Sequence, residues 1–163
     1  MNKDNTLDAI RGASFFSDMD DEHLQRLAEI AELVDLPPHS TIFKENDPAE
    51  NVYVVASGHV SLVICMHEVG CRQLSDVGDG EMLGWSPLVG RSRMSDTART
   101  ATAATLISIN GEQLLDLCRK QPDFGFAFMY RAAQVLAQRL GAVRVQLMDM
   151  TGHSLPEVVL ESD

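Results

Sequence analysis

Residues able to do chemistry fall in two short stretches. In the first, Arg91, Arg93 and Arg99 follow the turn signals Gly78-Asp79-Gly80 and Gly84. Three guanidiniums near one loop, in a chain of net charge −11, can hold a small anion, because each presents a planar fork of donors. A surface loop with solvated arginines accounts for the same residues. In the second stretch, His59, Cys65, His67 and Cys71 lie close together. Cys65 and His67, two apart, would share a strand face and could ligate a metal or haem. Their spacing fits no closed zinc pattern, and a buried cysteine is usually inert packing. No Ser-His-Asp set, phosphate loop or paired carboxylates in a suitable context appears, so the sequence predicts no enzyme and no metal site.

The 163 residues carry 13 Lys+Arg against 24 Asp+Glu. A nucleic-acid partner or an anionic membrane surface needs a basic face, so DNA binding and membrane docking are not expected. No run of about 18 apolar residues is present. Cys65, Cys71 and Cys118 show no paired framework, which points to a reducing, cytoplasmic compartment.

These residues need elements to position them. Residues 1–36 read as an N-terminal helical segment. Ser17-Asp18-Met19-Asp20 opens a helix whose apolar face is Leu24, Leu27, Ala28, Ala31 and Val34, closed by Pro37-Pro38. Residues 37–117 carry short β-prone runs between turn signals. Thr41–Phe43, Val52–Val55, Val60–Ile64, Arg72–Leu74 and Ala101–Ile109 suggest a sandwich or barrel. Glu112–Leu117 is a short helix. Residues 118–150 hold the C-terminal helices, with one long helix from about Asp123, and 151–163 look like a tail. Met129, Ala133, Leu136, Leu140, Val143, Leu147 and Met150 alternate in steps of four and three. That seam predicts a parallel homodimer through residues 129–150; an amphipathic helix lying on its own domain is the alternative.

The opening Phe16–Glu22, the strand–turn Ile42–Asp47, the run Val52–Val60 and the approach Gly80-Glu81-Met82-Leu83-Gly84 occur in a telling order. With Leu147–Gly152 after the long helix, the segment from Phe16 to Met150 resembles the cyclic-nucleotide-binding domain of catabolite-activator-type regulators and cyclic-nucleotide-dependent kinases. The resemblance implies a mainly β fold with flanking helices: an eight-stranded, jelly-roll-like β-roll or barrel, N-terminal helices and a long C-terminal dimerisation helix. Family regulators continue into a helix-turn-helix domain, and the eleven residues after Gly152 cannot form one.

The resemblance also implies a ligand cassette, here about residues 78–100, in which N–H groups at a helix start face the cyclic phosphate. Gly84, Trp85 and Ser86 open it. The family places a ribose-binding Glu where this chain has Trp85, and an indole has no acceptor to offer a hydroxyl. Trp85 either stacks on a ligand ring or fills the nucleotide's space. The family's phosphate arginine, about ten residues on, would fall near Arg93 or Met94. Arg99 and Thr100 match the local Arg-Ser/Thr-Ala pattern but lie further along. Arg139 and Arg144 fall where the closing helix approaches the base, or are solvent-facing flanks of the seam.

Two functions compete. One is a dimeric, non-enzymatic sensor that takes cyclic AMP, cyclic GMP or another small anion at Gly84, Trp85, Ser86, Arg93, Arg99, Thr100 and Arg144, with no cofactor, and signals to a protein partner. The other is a ligand-independent interaction module with a decayed pocket. A haem sensor is a distant third.

Overall fold

The computed structural model describes residues 3–151 and 155–159. Helix α1 (Lys3–Gly12), a 3-10 turn (Ser14–Phe16) and α2 (Asp21–Ala28) precede eight strands. These are β1 (Ala31–Leu36), β2 (Thr41–Phe43), β3 (Asn51–Ser57), β4 (Val60–Met66), β5 (Gly70–Val77), β6 (Met82–Leu83), β7 (Thr97–Thr100) and β8 (Ala104–Asn110). A second 3-10 turn, Ser86–Val89, lies between β6 and β7. Helices α3 (Gly111–Lys120) and α4 (Pro122–Thr151) close the chain. The strands form two antiparallel four-stranded sheets, β1-β8-β3-β6 and β2-β7-β4-β5. This is the expected β-roll with flanking helices.

Alternation along the strands divides the core into two clusters. On β3, Val52 and Val54 face the helices, whereas Tyr53 and Val55 face the roll interior. On β8, Ile107 and Ile109 face the helices and Leu106 faces inward. Successive side chains of a strand point to opposite faces, and here both faces are buried. The outer cluster joins Phe15, Phe16, Leu27, Phe124 and Phe128 to that sheet, with Phe15 edge-on to Phe128 at 5.2 Å between centroids. Such fully buried side chains stabilise the fold by about 1.5–3 kcal/mol each.

The expected first helix is too long. Ala31 and Val34 lie not on a helix but on β1, which pairs with β8 from Ala31↔Ile109 to Leu36↔Ala104. The reason is tertiary: the buried strand β8 offers this segment a full backbone ladder. A three-residue apolar spacing over so short a run does not distinguish helix from strand. The seam on α4 is likewise divided. Phe124, Phe128 and Ala132 are buried in the chain's own core, and Met129 packs beside them. From Leu140 onward the apolar side chains are exposed.

Gly58 sits in the β3–β4 turn at φ +99°, and a Cβ there would lie 2.4 Å from the Ala103 carbonyl oxygen. Gly58→Ala is therefore expected to destabilise the chain by about 1–3 kcal/mol, through φ strain and overpacking. Urea unfolding measures it, and an unchanged midpoint would contradict the assigned turn.

Candidate functional site

The cassette begins where Gly80 N–H donates to the Val55 carbonyl and Val55 N–H donates to that of Glu81. Strand β6 then pairs Met82 with Val54 and Leu83 with Tyr53. Gly84 follows at φ +73°, a region that favours glycine. A Cβ on Gly84 would meet Tyr53 at 3.2 Å and both Phe43 and Met94 at 3.3 Å. Phe43 and Tyr53 stack with centroids 5.8 Å apart. Phe43, Tyr53 and Met94 thus crowd Gly84, and the same three side chains line a cavity of about 200 Å³ that also borders Asp47, Pro48 and Asn51.

Trp85 does not enter that interior. It packs against the outer cluster, with the Arg91 guanidinium 5.9 Å above its ring. Ser86 is buried, and its hydroxyl lies 3.4 Å from that of Ser95. Gly90 ends the 3-10 turn in the left-handed region.

The other predicted residues lead away from the cassette mouth. Arg93 donates from Nη1 to the Asn46 carbonyl, and the backbone bridges Pro48 to Arg93. Arg99 donates from Nε to the His39 carbonyl. Thr100 is buried, donates its hydroxyl to the Pro37 carbonyl at 2.8 Å and accepts from Ser40 N–H at 2.8 Å. Together Arg99 and Thr100 fasten the turn between β1 and β2. Arg144 stands on the exposed half of α4 beside Val145 and Met148. Gly84, Trp85 and Ser86 are therefore contiguous, but Arg93, Arg99, Thr100 and Arg144 do not converge on them.

Arg139, singled out in the sequence but not chosen with Arg144 for the ligand set, has the more enclosed position. It reaches from α4 to the Met82 carbonyl. Burial pulls its guanidinium below the ordinary value, while Glu81 and Asp96 pull it back up. Beside it is a cavity of about 390 Å³ lined by Ser14, Asp76, Asp79, Glu81, Arg131 and Arg139, among others. Arg131 Nε is buried there and makes no hydrogen bond among the described residues. The sequence signal was the helical spacing of Arg131, Val135, Gln138, Arg139 and Ala142, which all face this cavity.

The cysteine reading needs correction. Cys65 and Cys71 face each other across β4 and β5 and form a disulfide. The metal-binding alternative took Cys65 and His67 as neighbours on one strand face, but β4 ends at Met66. Among the described residues no group of three or more His, Cys, Asp or Glu could hold a metal ion. Cys118 is free, and burial pushes its thiol up to about 11.

Residues 33–121 match the model of the cyclic nucleotide-binding domain. The chain belongs to the cyclic nucleotide-binding domain family. It is 28% identical over 155 residues to the HTH-type transcriptional regulator Cmr of Mycobacterium tuberculosis, covering 93% of this chain and 59% of that one. It is 25% identical over 130 residues to an uncharacterised NTE family protein of the same species, covering 80% of this chain and 22% of the relative. The chain thus spans less than two thirds of either relative. Among solved structures, the catabolite activator protein of Thermus thermophilus is similar with a TM-score of 0.68 at 26% identity, over 84% of this chain and 62% of that one. A cyclic nucleotide-binding domain from Methylobacillus flagellatus shares the fold with a TM-score of 0.75 at 18% identity, over 96% and 86%. Among the described residues no helix is long and apolar enough to cross a membrane.

The hydrogen bonds of Thr100 give it a structural task. Thr100→Val should cost about 1–3 kcal/mol, because Ser40 N–H and the Pro37 carbonyl lose their buried partner. Thermal unfolding reads the change; a fully stable variant would leave Thr100 free for a ligand.

Proposed function

We propose that the chain is a non-enzymatic regulatory module that acts as a dimer and binds cyclic AMP weakly or not at all. The observation that carries the reading is the close approach of Phe43, Tyr53 and Met94 to Gly84, which leaves beside them a cavity of only about 200 Å³. Three further features support it. Trp85 brings no acceptor for a ribose hydroxyl. Arg93 and Arg99 donate to backbone carbonyls rather than into the cassette. Met94, buried at the expected phosphate-arginine position, carries no charge. Losing an acceptor to a buried hydroxyl costs about 1–3 kcal/mol, and losing a charge-assisted phosphate contact adds to that.

Output then runs through α4. Leu140, Val143, Leu147 and Met150 of the seam are 62%, 46%, 49% and 84% exposed. A second copy of the helix would cover them, in the coiled-coil manner. Signal recipients are proteins rather than DNA, given the net charge of −11.

A second reading rests on Arg131 Nε, buried without a hydrogen bond among the described residues in the 390 Å³ cavity that Arg139, Asp76, Asp79 and Glu81 also line. A small anion other than a cyclic nucleotide would sit there, and α4 would report it. Calorimetry separates the two, with cyclic AMP and cyclic GMP in one arm and inorganic phosphate in the other. The first reading expects a Kd for cyclic AMP above about 100 μM; a micromolar value overturns it. Phosphate binding that is lost in Arg139→Ala would favour the second.

For assembly, light scattering at tens of micromolar should give the mass of two chains. Leu140→Glu, which places a charge in the apolar seam, should give one. A wild-type mass of one chain would refute the dimer.

A further inference from the structure

The β4–β5 hairpin has two unequal halves. At its base Val60, Leu62 and Val77 are buried in the roll interior, so burial sets the register. Between Leu62↔Ser75 and Val63↔Gln73 the register shifts, which leaves Leu74 as an extra residue on β5. Beyond that bulge, residues 65–73 are all exposed. No core contact there favours one register over its neighbour. What joins the two strands covalently is Cys65–Cys71, whose residues are directly opposed in the observed pairing. A slip of one residue would set Val63 against Leu74 and Cys65 against Arg72, and the disulfide could not span it.

The bulge is also where α4 grips the hairpin. Gln146 donates from Nε2 to the Leu74 carbonyl at 3.2 Å. Arg139 holds the Met82 carbonyl seven residues earlier on the same helix. Residues 140–150 are otherwise exposed. Within the chain, the second half of α4 is thus held to the hairpin by a side-chain bond to a carbonyl of the bulge itself.

We propose that Cys65–Cys71 is a redox-sensitive register lock, through which the ambient thiol poise sets the seat of α4. A low-molecular-weight thiol, as its thiolate, attacks one sulfur of the accessible pair, breaking the S–S bond and forming a mixed disulfide. A second thiolate displaces the cysteine. The protein gains two electrons and, with two protons, two thiols; the reductant leaves as its disulfide. Freed from the link, the hairpin tip absorbs the bulge, Leu74 enters the ladder and Gln146 loses its acceptor.

Hydrogen exchange on the full chain, with and without dithiothreitol, tests this. Alkylation after denaturation should count one thiol, that of Cys118, in the air-oxidised protein and three after reduction. Reduction should speed amide exchange at 63–74, and at 139–147 by about two- to tenfold, the change worth one intramolecular hydrogen bond. Cys65→Ser/Cys71→Ser should exchange like the reduced protein, with or without reductant. In Gln146→Ala the hairpin should still respond to reduction and α4 should not. Three thiols in the oxidised protein, or exchange at 139–147 that reduction leaves unaltered, would overturn the lock. A response of α4 that survives Gln146→Ala would overturn the coupling through Leu74.

Discussion

Strand β8 pairs with β1 on one side and β3 on the other, and both its faces are buried. Burial without water obliges each of its backbone groups to find a partner, which draws Ala31–Leu36 out of any helical tendency and into the sheet. The same strand ends at Asn110, whose side chain accepts from Gln113 N–H and starts α3. Gly111 then passes so close to Pro87 that a Cβ would lie 2.5 Å from that ring. One strand thereby aligns the N-terminal helices, the cassette turn and the origin of α4.

That arrangement explains how the cassette keeps its shape. Backbone bonds from Val55 and Glu81, the left-handed Gly84 and the Gly111–Pro87 contact determine the path of the loop. None of them needs a ligand. The arginines nearby spend their donors on carbonyls of the β1–β2 and β2–β3 turns. In a chain with 24 acidic residues and 13 basic ones, cations engaged in this way leave little positive field for an anion. Arg139 likewise donates to a carbonyl, that of Met82, and with Arg131 it lines a cavity that also holds Asp76, Asp79 and Glu81.

Stability is not spread evenly over such a molecule. The phenylalanines of the outer cluster tie the first turns of α4 to the sheet. Further along, side-chain bonds from Arg139 and Gln146 to carbonyls of β6 and β5 tether it. A long helix anchored firmly at one end and lightly at the other suits an element that assembles with a partner or shifts.

Local sequence determined the order of elements. Alternating apolar residues, glycine turns and a sustained 4-3 spacing depend on neighbours within a few residues, so five strand runs and the long α4 were legible, and the order of these features, through the family resemblance, implied the eight-stranded β-roll. Tertiary structure decided the rest. Whether Ala31–Leu36 is helix or strand depended on β8, whose paired residues lie 68 to 78 positions further along the chain. That Arg99 and Thr100 bind a turn rather than face the cassette depended on Pro37, His39 and Ser40. The pairing of Cys65 with Cys71 depended on a hairpin register shifted by one bulge. That Arg139 is enclosed and Arg144 exposed depended on which face of α4 the roll covers. In each case the decisive partner is distant in the chain, and residue type with spacing carries only what neighbours in the chain impose.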